Sequence, residues 1–126
     1  MNTSQKNMMI LVAGPFRSGT NDDPVLIHRN TELMEQYALR VYESGHLPVL
    51  GEWFALPLIR TAGSTVLGDD IFTALFHPVA MRLLGHCDAV LRVGGPSQGC
   101  DDMLRLAKEQ GKPVYFAVEE LPLVEE

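Results

Sequence analysis

The residues able to do chemistry fall into four short stretches. The first is Gly94-Gly95-Pro96-Ser97-Gln98-Gly99. It follows an apolar, β-branched run over residues 89–93. It precedes Cys100, Met103, Leu104 and Ala107, which recur at the spacing of one helical face. A glycine-rich turn between a strand and a helix leaves backbone N–H groups unpaired at the helix start. Those groups and the helix dipole attract an anion, most often a phosphate or carboxylate. Gly94, Gly95, Ser97, Gln98 and Gly99 are therefore expected to hold a ligand. The plainer alternative is a tight turn that merely needs glycine. The second stretch is Gly14-Pro15-Phe16-Arg17-Ser18, where Arg17 suits a phosphate or carboxylate and Phe16 suits a base. A surface Arg beside a core-edge Phe is the alternative. The third is Glu52-Trp53, a carboxylate for ribose hydroxyls or catalysis beside an aromatic wall. A salt-bridged Glu beside a packed Trp would look the same. The fourth is Asp101-Asp102, negative charges that suit a helix N-terminus. Asp101, like Glu52, is a candidate catalytic carboxylate.

The elements that must position these residues follow from pattern. Residues 8–13 form a continuous apolar run of strand length, suited to the centre of a parallel sheet. Asp23 can cap a helix that Pro24 opens and Gly45 closes. Residues 47–50 form a second strand. Residues 54–60 read as a short helix broken by Pro57. Residues 61–70 are polar and glycine-bearing, a candidate lid. Helical spacing returns over residues 71–84 and is interrupted at His77-Pro78, where Pro78 is a kink or opens a new helix and His77 reads as its cap in preference to a catalytic acid. A helix over residues 99–110 and a strand over residues 113–118 complete the chain. Strands alternating with helices predict an α/β three-layer sandwich around a mostly parallel sheet of four to five strands. The glycine loops and Glu52 then share the carboxyl edge of that sheet, where ligands bind in such folds.

Bulk properties narrow the function. The chain has 126 residues, 46% of them hydrophobic, enough for a single domain with its own core. Residues 1–7 and 121–126 read as loose tails. Net charge is −6 and no basic cluster occurs, which argues against a nucleic-acid partner. No apolar run has the length of a membrane span, and the short run after the polar N-terminus does not read as a secretion signal. A cytoplasmic location is expected. The two cysteines, Cys87 and Cys100, read as buried free thiols, and the four histidines show no metal-ligand spacing. No cofactor or metal is expected.

Two stretches resemble a known family. Ile10-Leu11-Val12-Ala13-Gly14-Pro15-Phe16-Arg17-Ser18 is similar to the opening of nucleoside 2-deoxyribosyltransferase-like proteins. Asp88 through Ser97-Gln98-Gly99 and on to Gly111-Lys112-Pro113-Val114 resembles their second half. The resemblance implies a Rossmann-like, flavodoxin-like domain that binds a nucleoside, nucleotide or phosphosugar and forms homo-oligomers. It implies cleavage or transfer at an N-glycosidic bond, with a carboxylate attacking the anomeric carbon. It also implies that Ser97, Gln98 and Gly99 hold a 5′-phosphate. The family's nucleophilic glutamate lies six residues after that serine, and Met103 stands there instead. Two readings follow: an enzyme using Glu52 or Asp101, or a non-catalytic binding module that lacks the nucleophile.

Overall fold

A computed structural model describes residues 6–124. The first strand, β1 (Met9–Ala13), is apolar throughout because both its faces are covered. Ile10 and Val12 enter one core cluster, and Leu11 and Ala13 enter the other. β1 pairs in parallel with β2 (Leu47–Val49) on one side and β3 (Ala89–Arg92) on the other. β4 (Val114–Tyr115) pairs in parallel with β3. The order is β2-β1-β3-β4, so the chain leaves β1 toward one edge and returns on the other side of it. The crevice above the carboxyl ends of β1 and β3 is a topological switch point.

Helices cover both faces. α1 (Pro24–Glu43) opens with the Asp23 side chain accepting from the Val25 N–H and with Pro24 in its first turn. It packs Met34 and Val41 against Ile10, Val12 and Leu91. α3 (Asp70–Leu84) and α4 (Gln98–Glu109) cover the opposite face through Leu84, Cys100, Met103 and Ala107. α2 (Gly51–Thr61) lies on α3 through a third cluster of Ala55, Ile59 and Phe72. The fold is an α/β three-layer sandwich with a Rossmann-like, all-parallel sheet of four strands among the described residues. No described helix is long and apolar enough to cross a membrane.

Both helices expected to break at proline run through it. Proline removes the hydrogen bond to the carbonyl four residues earlier. For Pro57 that carbonyl belongs to Trp53, and for Pro78 to Ala74; all four residues are exposed, so water can satisfy the freed groups. His77 is therefore mid-helix, not a cap. The last strand is only two residues long, and residues 118–120 form a 3-10 turn instead of continuing it. Residues 121–124, expected to be loose, are docked: Leu121 is buried in the α1-side cluster. Residues 1–5 and 125–126 of the expected tails lie outside the described residues.

Candidate functional site

Three strand ends open into one cavity of about 230 Å³. Gly14 follows β1, Gly51 and Glu52 follow β2, and Ser97 and Gly99 follow β3, and all five line it. A Cβ on Gly14 would lie 2.2 Å from the Met34 Sδ and 2.9 Å from the Val93 carbonyl, so only glycine lets the β1 loop turn there. That loop is then held by polar contacts. The Thr20 hydroxyl donates to the Arg17 carbonyl, and the Asn30 amide donates to the Phe16 carbonyl at 3.0 Å. Asn21 and Asp22 take left-handed backbone angles, which Asn and Asp tolerate best among non-glycine residues. This swings the Asp22 carboxylate into a two-pronged pair with Arg17, both contacts at 2.8 Å. The pair raises the Arg17 pKa and lowers that of Asp22. Arg17 also lies over the Phe72 ring, 5.3 Å from its centroid. Phe16, Arg17 and Ser18 all reach the cavity.

Glu52 is the buried charge of the site. It occupies the first turn of α2, where a negative side chain suits the helix dipole. It is only 8% exposed, and its Oε2 accepts from the Thr31 hydroxyl at 3.3 Å. Burial is the largest influence on its carboxyl; the Thr31 bond opposes it and the Glu35 charge adds to it, leaving the pKa raised from 4.5 to about 7. A carboxyl titrating there can give or take a proton near neutral pH.

The β3 loop divides in two. Its second half lines the cavity: Ser97 caps α4 by accepting from the Cys100 N–H, and Gly99, Cys100 and Met103 follow in the wall. Its first half does not. Arg92 donates to the carbonyls of Val93 and Gly95, bracing the turn from within. Gly94 has φ +82 and packs against Pro15, its missing Cβ 2.8 Å from the Pro15 Cδ. The two glycines thus serve the turn, and Gly94, Gly95 and Pro15 lie outside the cavity lining. Three further expected residues also lie outside it. The Gln98 amide donates to Asp102 at 3.1 Å. Trp53 is 43% exposed and its indole N–H donates to Glu35. Asp101 is exposed on α4, so Glu52 is the carboxylate the cavity contains.

The remaining wall comes from α3, of which only His77, as the less favoured acid reading, was a sequence candidate. Phe72 and Phe76, four residues apart, share one helix face with their rings stacked at 4.8 Å. Phe16 stacks on Phe76 at 5.2 Å. The next residue, His77, lines the cavity and places its Nε2 3.7 Å from the Asp102 Oδ2. The i, i+4 phenylalanines were visible as helix periodicity, but only the packing of α3 beside α4 turns them toward the switch point. Both cysteines are free and buried; burial raises each thiol, Cys87 to about 11, so neither is a ready nucleophile. Among the described residues no three metal-ligating side chains converge.

The cavity therefore has an aromatic side, a helix N-terminus with a serine and a glycine, and one buried carboxyl. That combination can take a flat ring, a polar or anionic group, and a reacting centre between them. Compared with models of known protein families and with curated proteins, the chain has no significant match.

Proposed function

We propose that this cavity binds a nucleoside or nucleotide and that Glu52 acts at its N-glycosidic bond. The observation that carries the reading is Glu52 itself, a buried carboxyl with a pKa near 7 in the wall of the switch-point cavity. The stacked face of Phe16, Phe72 and Phe76 suits a base. Ser97 and the start of α4 suit a sugar hydroxyl or phosphate. The resemblance to nucleoside 2-deoxyribosyltransferase-like proteins supports the same substrate class. In this reaction the ionised Glu52 attacks the anomeric carbon and the base leaves with the bonding pair. The base nitrogen takes a proton, and water or a second base then displaces Glu52.

Met103 favours a second reading. It stands six residues after Ser97, is 4% exposed and lines the cavity, and a thioether cannot act as the nucleophile. A module that binds without turnover fits that residue. The proposal extends to self-association, since α2 presents Trp53, Phe54 and Leu58 to solvent. It extends also to a reducing compartment such as the cytoplasm, with which free buried thiols accord.

A panel of nucleosides, deoxynucleosides and their 5′-monophosphates tests the reading by chromatography of released base and by thermal shift. Base release that falls by about 10²-fold or more in Glu52→Gln is expected. A thermal shift without release selects the binding module. Neither shift nor release overturns both.

A further inference from the structure

His77 and Asp102 form a pair that neither the fold nor the packing of the core requires. They come from different helices, α3 and α4, and of the two His77 lines the cavity. Asp102 is fixed before it meets His77. Its Oδ1 accepts from Gln98 at 3.1 Å and from Arg105 at 2.6 Å. That leaves Oδ2 facing the His77 Nε2 at 3.7 Å, within ion-pair range. The other ring edge, Nδ1 and Cε1, lies over Gly99, 3.6 Å from where a Cβ would sit. Gly99 lines the cavity, so this ring edge sits in ordinary van der Waals range of the cavity wall. A histidine held from behind by a carboxylate keeps one tautomer and offers its second nitrogen for proton exchange.

We propose that His77, oriented by Asp102, is the proton donor and acceptor of the cavity and complements Glu52 there; this rests on the glycosidic reading above. Glu52 attacks the anomeric carbon, and the carbon–nitrogen bond breaks with its pair going to the base. The imidazolium gives its Nδ1 proton to that base nitrogen. Water then attacks the anomeric carbon, its proton passes to the neutral Nδ1, and the glycosyl–Glu52 ester breaks. One water is consumed, and free base and free sugar result. Asp102 is the positioning residue. The charged groups facing His77 from α4 are Asp102 and, behind it, Arg105.

The test separates this role from a merely structural contact. An N7-methylated guanine leaves as a neutral base and needs no proton, whereas guanine itself does. Deoxyguanosine, its 5′-monophosphate and their N7-methyl counterparts are compared in wild type, His77→Gln and His77→Asn. In single turnovers with enzyme in excess, where base release reads only the first step, the expected result is a loss of about 10²-fold or more for the unmethylated substrates, a much smaller loss for the methylated ones, and unchanged melting temperatures. Equal loss on both, or loss on neither, overturns the donor role and leaves the glycosidic reading standing. No release from any of them by wild type removes both. Separately, nitrogen-detected spectra of the free protein report the His77 tautomer. The proton is expected on Nε2 in wild type, with that preference lost in Asp102→Asn. A tautomer indifferent to Asp102→Asn overturns the positioning role whatever the activity.

Discussion

Glu52 sets the energetic character of the site. A carboxylate 8% exposed has lost most of its hydration, and one 3.3 Å bond from Thr31 replaces little of it. The unfolded carboxyl titrates near 4.5 and the folded one near 7, so between those values the folded state binds the extra proton. Stability is therefore greatest below the lower value and is lost as pH rises through the upper one. Glu52→Gln removes that titration while keeping the shape. In urea denaturation the variant is expected to gain on wild type as pH rises, by roughly 1–3 kcal/mol at about pH 8 relative to about pH 4. A difference constant across that range would mean that the carboxylate is hydrated in the folded state.

At the scale of elements, the turn from α3 into β3 shows what sequence pattern can and cannot convey. The Lys112 ammonium donates to the carbonyls of Leu84 at 2.7 Å, Gly85 at 3.1 Å and Cys87 at 2.5 Å. It thus closes the C-terminus of one helix and starts the adjoining strand, with its charge complementing the helix dipole. Lys112→Met keeps the apolar stem and removes all three donors. The expected cost is about 1–3 kcal/mol in urea, with an unchanged denaturant slope. The helices, strands and their order were legible because apolar periodicity and the Asp23, Pro24 and Gly45 signals act locally. Proline misled the boundaries of α2 and α3, since its penalty depends on whether the orphaned carbonyl meets water, which is a tertiary fact. Gly14, Phe16, Arg17, Ser18, Glu52, Ser97 and Gly99 were legible as cavity residues, because loops at strand ends must converge in this fold. Phe72 and Phe76 were not, and His77 read better as a cap than as an acid, since only helix packing turns all three toward those loops. Gly94 and Gly95 look like an anion cradle in sequence, but Gly94 packs against Pro15 and the Gly95 carbonyl accepts from Arg92, outside the cavity.

The whole molecule closes itself with its C-terminal segment. A short β4 leaves the α1 face short of cover, and residues 116–124 supply it. Glu119 pairs with Arg40 at 2.7 Å, and Leu121 enters the core beside Met8 and Val41. A Cβ on Gly45 would lie 2.7 Å from Val124, so the glycine that ends α1 also admits the segment. His46 joins the two ends of the described chain. Its Nδ1 accepts from the Met8 N–H at 3.0 Å, which leaves Nε2 to donate to the Pro122 carbonyl at 2.8 Å. The ring is 2% exposed, so neither bond is easily replaced by water. His46→Leu fills the same space but orphans both backbone groups. A loss of about 1–3 kcal/mol per group is expected. Amide exchange should quicken at Met8 and around Leu121 while β3 stays protected, because β3 is held by β1 and β4 and not by the segment. Uniform acceleration across all four strands would instead mean that the C-terminal segment and the sheet open as one unit. In that case the segment is as much a part of the core as β1, and the cavity at the opposite end of the strands depends on it.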